Sequence, residues 1–272
     1  MTRGVLDLTA KHIAVITGAA GGMGAAVAAR LARVGWPLLL CDLDARRLEP
    51  LAAELSAGGG PVEILAGDIG DSDYPERLIS ALAARDIGVL IHTAGLSPTM
   101  ADAERILRVN FDATARLVDV ARPRMAKGGC VVLIASSAAH MVKSDEWDRA
   151  LTEAIAARNS AALLPFAARP EMAYPLSKRA VIRLVAHEST AFGARGARIV
   201  SISPGLIDTA MTRSEQAASA QMKSLLARTP LGRLGTADEI ASVATFLCSK
   251  DASYITGCDI RVDGGTLASL GL

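Results

Sequence analysis

The chain has 272 residues, enough for one large α/β domain or two small ones. Hydrophobic residues make up 51% and aromatics 3%, so the core must be built of Ala, Val, Leu and Ile, which suits helices packed closely on a parallel sheet. The formal charge of +1, from 29 basic and 28 acidic residues with no basic run, speaks against a nucleic-acid partner.

In chain order, Lys11–Thr17 is a β-branched apolar run that reads as a buried strand. Gly18-Ala-Ala-Gly-Gly-Met-Gly24 follows, then an alanine-rich helix over Ala25–Val34. Leu38–Cys41 reads as a second strand closed by Asp42, and Arg46–Leu55 as a helix. A glycine turn at 58–61 leads to a third strand, Val62–Ala66, which ends at Asp68. Helix Pro75–Ala84 precedes strand Val89–His92, and a long helix over Asp102–Ala121 precedes strand Cys130–Ala135. Further on come strand Arg198–Ile202, helix Ala237–Leu247 and strand Asp259–Val262. Alternation of this kind predicts an α/β fold, a doubly wound parallel sheet in a single domain over 1–272.

Two segments break the rhythm. Residues 138–173 are long for a strand-to-helix connection and contain an amphipathic stretch, Glu146–Arg158. Residues 209–229 are a polar, alanine-rich excursion after a Pro-Gly turn. Both follow strand ends, the side where open α/β sheets bind ligands, and both read as walls of a substrate pocket. Oligomer-interface helices are the alternative reading. Met141, Leu163, Leu164, Phe166, Met211 and Met222 are the apolar residues expected to line that pocket. No run approaches the ~20 apolar residues needed to span a bilayer, and Met1–Lys11 lacks the apolar core of a signal peptide. Cys41, Cys130, Cys248 and Cys258 have no metal-ligand spacing and read as reduced thiols of a cytoplasmic protein.

The turn Thr17–Gly24 lies between a strand and a helix, where glycines let the backbone approach a pyrophosphate held at the helix N-terminus. Asp42 closes the next strand, where a carboxylate can accept from the adenosine ribose hydroxyls and would repel a 2′-phosphate. NAD is therefore favoured over NADP, and Arg46 and Arg47 read as the solvated face of the following helix. Tyr174 and Lys178 are four apart in a helical stretch, so phenol and ammonium share one face. A cation beside a phenol favours the phenolate and prepares it for proton transfer. Pro175 lacks an N–H and is tolerated best in a first helical turn, so the helix should have only just begun at Tyr174, or bend there.

The spacing Thr17-Gly18-x-x-x-Gly22-x-Gly24, followed by Tyr174-x-x-x-Lys178, resembles the short-chain dehydrogenase/reductase family. The resemblance covers Lys11 to Gly265 and implies a Rossmann fold and an NAD(P)-dependent oxidoreductase. It implies cofactor contacts at Gly18, Gly22, Met23, Gly24, Asp42, Leu43, Asp68, Ile69, Ala94, Gly95, Tyr174, Lys178, Pro204, Gly205, Ile207 and Thr209. It also implies a catalytic set of Asn110, Ser137, Tyr174 and Lys178, with Ser137 rather than Ser136 as the catalytic serine. His92-Thr93 replaces the two asparagines that the family places before Ala94-Gly95, which puts their strand-bracing role in question. His140, His12 and His187 are left outside the site. The insertion before Tyr174 resembles the bacterial 3α-hydroxysteroid dehydrogenase/carbonyl reductase subgroup. This implies a hydrophobic secondary alcohol or ketone (cyclic, steroid-like, terpenoid or aryl) as substrate, and a homo-oligomer, dimer or tetramer. The alternatives are an NADPH-dependent carbonyl or 3-oxoacyl reductase and a non-catalytic NAD-binding regulator.

Overall fold

A computed structural model describes residues 11–58, 60–142, 144–209, 212 and 220–272. Its strands in chain order are β1 (His12–Thr17), β2 (Leu38–Asp42), β3 (Val62–Ala66), β4 (Asp86–His92), β5 (Met125–Ile134), β6 (Arg198–Pro204), β7 (Ile207–Asp208), β8 (Gly235–Thr236) and β9 (Asp259–Val262). The helices are α1 (Gly22–Arg33), α2 (Ala45–Ser56), α3 (Tyr74–Leu82), α4 (Ala103–Leu107), α5 (Ala113–Ala121), α6 (Asp145–Ala157), α7 (Pro170–Ala194), α8 (Ala220–Ala227), α9 (Ala237–Leu247) and α10 (Thr266–Ser269).

Seven strands form one parallel sheet in the order β3-β2-β1-β4-β5-β6-β9. This is the doubly wound architecture expected from the alternation. Period-two alternation feeds two separate cores from a single strand. Ile13 and Val15 of β1 pack into the cluster with α3, α5, α6 and α7, whereas Ala14 and Ile16 pack into the cluster with α1, α2 and α9. The inner strands are buried on both faces and so read as continuous apolar runs. Edge strand β3 departs from this, with Glu63 and Ile64 exposed.

The order reverses between β1 and β4, and at such a switch point the loops after adjacent strands diverge and open a crevice. The loop after β1 is the glycine turn, and the loop after β4 is Ala94-Gly95. Gly18 sits at φ 69°, and a Cβ there would lie 2.6 Å from the Ala94 nitrogen, so a side chain would pry the two loops apart.

Three expectations need revision. The helix over Asp102–Ala121 is interrupted by a π-turn at Arg108–Asp112, in which the Ala113 N–H reaches the Arg108 carbonyl. Apolar spacing alone does not distinguish a π-turn from an α-turn. Helix α7 begins at Pro170, a full turn ahead of Tyr174. Pro170 takes the first helical position, where its missing N–H is harmless, and Pro175 lies inside the helix. The third revision concerns the insertion. Its helix α6 and the 3-10 turn Ala161–Phe166 pack Leu151, Ile155 and Leu163 onto the core beneath α5 and α7. Leu163 is fully buried there, Phe166 packs against the same cluster and Leu164 faces solvent, so none of the three lines the pocket. The apolar stripe of α6 is satisfied by the helix layer, which leaves only the two ends of the insertion near the strand ends.

Glu188 on α7 fixes the far end of the insertion. Its buried carboxylate accepts from Arg122 at 2.5 Å, from His187 at 3.0 Å and from Arg158, the left-handed residue that ends α6. Burial alone would raise the Glu188 pKa, but Arg158, His187 and Arg122 together hold it below the ordinary carboxylate range.

Candidate active site

A cavity of about 570 Å³ opens at the C-terminal ends of β4, β5 and β6. Its lining includes Met23, Gly95, Ser137, Tyr174, Lys178 and Thr209, which come from five separate stretches of the chain. That volume is in the range of a small-molecule site.

Helix α1 begins at Gly22 with no side-chain cap and no acidic residue in its first turn. Its first N–H groups and the positive end of its dipole are thus available to an anion, the arrangement that holds a pyrophosphate. Asp42 stands beside this turn. Its Oδ2 accepts from the Ala20 N–H at 2.9 Å and its Oδ1 from the Leu43 N–H at 2.8 Å, with Leu43 itself largely exposed. Each oxygen keeps a lone pair for a ribose hydroxyl. Arg46 pairs with Asp44 at the start of α2, while Arg47 donates to the Ala20 carbonyl at 2.6 Å. Arg46 and Arg47 are both exposed, as the reading of a solvated helix face expected, and Arg47 in addition reaches the glycine turn.

Asp68 lies at the end of β3 and is engaged by the Gly70 N–H at 2.7 Å and by Arg105. Burial opposes its charge, but these two partners hold its pKa below the usual range. Its neighbour Ile69 packs partly against the core. Pro204, Gly205 and Ile207 line the cavity after β6, and Thr209 extends toward the turn, its Cγ2 3.3 Å from where a Cβ on Gly22 would sit. Strand pairing of Ile207–Asp208 with Gly235–Thr236 anchors this loop to the capping box of α9. Gly18, Gly22, Gly24, Asp42, Leu43, Asp68, Ile69 and Ala94 fall outside the cavity, along the segments that close or follow β1, β2, β3 and β4. An elongated ligand can therefore lie across the switch point with one end in the cavity.

Tyr174 and Lys178 both face the cavity from α7. The Lys178 ammonium is buried and donates to the Ile134 carbonyl at 2.8 Å. Burial pushes its pKa down to about 8. A Cβ on Gly95 would sit 3.1 Å from Asn110 Oδ1 and 3.2 Å from Lys178 Nζ, so any side chain there would push on one or both of these groups. The two serines differ. The Ser136 hydroxyl accepts from the Ala138 N–H at 3.2 Å and caps the 3-10 turn Ser137–His140. No hydrogen bond engages the Ser137 hydroxyl among the described residues, and it lines the cavity. His140 is outside the lining, with Nε2 2.9 Å from Asp259 Oδ2 and 3.2 Å from Ser203 Oγ.

Asn110 does not line the cavity. It is buried in the π-turn, where Oδ1 accepts from the Leu96 N–H at 2.7 Å and Nδ2 donates to the Leu96 carbonyl at 3.0 Å and to Ser177 Oγ at 3.1 Å. His92 and Thr93 brace β4 against β1 in a way the sequence did not reveal. The Thr93 hydroxyl donates to the Thr17 carbonyl at 2.8 Å, and His92 Nδ1 lies 2.6 Å from the Thr17 hydroxyl. Strand bracing survives the departure from asparagine through different atoms. Of the apolar pocket residues expected, Met141 and Met222 line the cavity and Met211 lies outside the described residues.

Residues 12–146 match the family model described as short chain dehydrogenase, and residues 159–266 match the one described as Enoyl-(Acyl carrier protein) reductase. The short-chain dehydrogenase/reductase bsc3 of Alternaria brassicicola is 33% identical over 266 residues, covering 94% of this chain and 96% of that protein. The chain belongs to the short-chain dehydrogenase/reductase family. D-threitol dehydrogenase of Mycolicibacterium smegmatis is 30% identical over 266 residues, covering 93% of this chain and 92% of that one. Among solved structures, a short-chain type dehydrogenase/reductase from Mycobacterium ulcerans superposes with a TM-score of 0.78 at 28% identity, over 97% of this chain and 92% of that one. Members of this short-chain dehydrogenase/reductase family are oxidoreductases that use NAD(P). The uncapped α1 terminus, Asp42 and the cavity at the switch point fit such a nucleotide.

Proposed function

We propose that this chain is an NAD-linked dehydrogenase of an apolar secondary alcohol, or reductase of the matching ketone, with Tyr174 as general acid/base. The observation that carries the proposal is that Tyr174, Ser137 and the buried Lys178 open into one cavity, the one that Met23 of the glycine turn and Thr209 also line. The bound nicotinamide supplies the hydride acceptor or donor. Tyr174 takes the hydroxyl proton in oxidation and returns it in reduction. Lys178, charged at neutral pH and one helical turn further along the same helix face, favours the phenolate by Coulombic attraction. The Ser137 hydroxyl, without a hydrogen bond among the described residues, is available to the substrate oxygen as charge develops on it. Asn110 acts through others, holding Leu96 and Ser177 in place.

Met23, Leu96, Met141, Met172, Met222 and Leu225 give the cavity an apolar surface and support a ring-bearing substrate. The helical insertion before Tyr174 supports a kinship with the 3α-hydroxysteroid dehydrogenase/carbonyl reductase subgroup. Similarity to D-threitol dehydrogenase supports an alcohol as one partner of the redox pair. On this reading residues 1–272 work as one nucleotide-binding domain, in a homo-oligomer. The four free thiols suit a reducing, cytoplasmic compartment.

A screen of cyclic and aryl secondary alcohols with NAD and NADP, followed at the nicotinamide absorbance, tests the substrate class. Tyr174→Phe should lower kcat by about 100-fold or more, and undiminished turnover by that variant would remove Tyr174 from the chemistry. A second reading, an NADPH-dependent carbonyl or 3-oxoacyl reductase, is favoured by Arg47, whose guanidinium lies on the glycine turn near Asp42. Asp42→Ser should improve NADP use relative to NAD. A wild-type preference for NADPH over NADH would establish the second reading instead.

A further inference from the structure

His92 is fully enclosed, and neither nitrogen faces the cavity. Its Nδ1 lies 2.6 Å from Thr17 Oγ1 and its Nε2 lies 2.8 Å from Thr114 Oγ1. The Thr114 hydroxyl in turn donates to the Asn110 carbonyl at 2.8 Å. A hydroxyl has one proton. With that proton spent on Asn110, Thr114 must accept from His92, so Nε2 carries the hydrogen. The neutral ring then has a bare Nδ1, which accepts from the Thr17 hydroxyl.

The same donor-to-acceptor direction continues past Asn110. Its Nδ2 donates to Ser177 Oγ at 3.1 Å, and the Ser177 hydroxyl donates to the Tyr174 carbonyl at 2.7 Å. Thr17, His92, Thr114, Asn110, Ser177 and Tyr174 thus form one directed series of hydrogen bonds, joined covalently at Asn110, whose backbone carbonyl accepts from Thr114 and whose side-chain amide donates to Ser177. It starts on the strand that ends in the glycine turn, crosses the π-turn and ends on the backbone of the helix that carries the candidate acid/base. Every hydrogen-bonding member between its two ends is buried. In such surroundings an unmade hydrogen bond is expensive and a completed chain is rigid.

We infer that His92, as the Nε2–H tautomer, is a positioning residue that couples the cofactor-binding end of β1 to the alignment of Tyr174 through Thr114 and the π-turn. The inference rests on the reading of Tyr174 as the acid/base. The ring must be neutral to accept from Thr17, and its surroundings agree. Burial first, and the Lys178 charge second, push its pKa down to about 3. The chain also gives the π-turn a purpose. A π-turn widens the helix and shifts its hydrogen-bond register by one residue. Here it holds the residue whose carbonyl faces Thr114 and whose side chain faces Ser177.

Two measurements test this. Long-range proton–nitrogen correlation on protein labelled at its histidines reads the tautomer in the wild type, without any need for turnover. The Nε2–H form is the expected result, and an Nδ1–H or charged His92 at neutral pH overturns the inference. Thr114→Val keeps the shape of the side chain and removes both of its hydrogen bonds. It should lower kcat about tenfold through misalignment, displace the pH dependence of kcat, and leave KM for the nucleotide within about twofold. Thr114→Ser keeps the hydroxyl and should restore the wild-type values. A Thr114→Val enzyme that loses thermal stability but keeps kcat and its pH dependence would make the chain merely structural and overturn the inference. If Thr114→Val does not fold, the tautomer decides alone. Failure of the Tyr174 assignment would be separate, since Tyr174→Phe would then turn over normally.

Discussion

Lys178 is a cation held where the fold alone would rather have none, and removing it should stabilise the protein while ending its activity. Burial lowers its pKa from 10.5 to about 8. A depressed lysine pKa is a penalty on the folded state. It is fully present while the group is charged in both states, below the folded value. It fades as pH rises from the folded value to the unfolded one, because there the unfolded chain binds the extra proton. At about 1.4 kcal/mol per pH unit, the gap is worth about 3 kcal/mol near pH 7 and about half that near pH 9.5. Lys178→Met removes the charge and also the hydrogen bond to the Ile134 carbonyl, which returns about 1 kcal/mol of the gain. The apo variant should therefore be more stable than wild type by about 2 kcal/mol near neutral pH. In a chain of this size that is a rise of roughly 4–8 °C in Tm. Thermal or urea unfolding of both apo proteins near pH 7 and near pH 9.5 measures it. A variant no more stable than wild type at neutral pH, or an advantage that fails to shrink at the higher pH, would refute the reasoning.

Glu188 should behave in the opposite sense. Its folded pKa is depressed by Arg158, His187 and Arg122, so its stabilisation is present above the unfolded glutamate value and is lost as pH falls through the folded one. Glu188→Ala removes the buried carboxylate that Arg122 and Arg158 share, leaving them only the longer pairing with Asp119, and should cost about 2 kcal/mol near neutral pH, a difference that unfolding in acid should show shrinking. The insertion provides a second contrast. Leu163→Ala, deep in the core beside α5 and α7, should cost about 3 kcal/mol of stability with substrate preference unchanged. Met222→Ala, on the cavity wall, should change KM among ring-bearing substrates and leave Tm within about 2 °C. The reverse outcome, with Leu163 setting specificity, would return the insertion body to the pocket.

Much of the site was legible in the primary structure because its parts are short local patterns with local physical causes. A glycine turn between strand and helix, a carboxylate closing the second strand and a phenol one helical turn from an ammonium each state their geometry within a few residues. What stayed hidden depended on partners far away in sequence. Arg47 is solvated as its place on the helix suggested, but that its guanidinium reaches the Ala20 carbonyl, 27 residues earlier, was not legible. Asn110 was expected in the site from the resemblance, but nothing in the sequence showed that it stays off the cavity wall with its side chain spent on Leu96 and Ser177. Leu163 and Phe166 were apolar and close in sequence to Tyr174, yet α6 turned them onto the helix layer.

The amino-acid sequence by itself determined the parallel α/β architecture, the place of the nucleotide turn and the residue types that meet at the strand ends, since alternation, glycine spacing and helix periodicity are local. Tertiary structure alone decided how the asparagine-less β4 terminus is braced, which serine has a free hydroxyl, where the insertion packs and how far Lys178 is buried. Those outcomes depend on which distant groups satisfy a buried donor or acceptor, and no spacing along the chain encodes that choice.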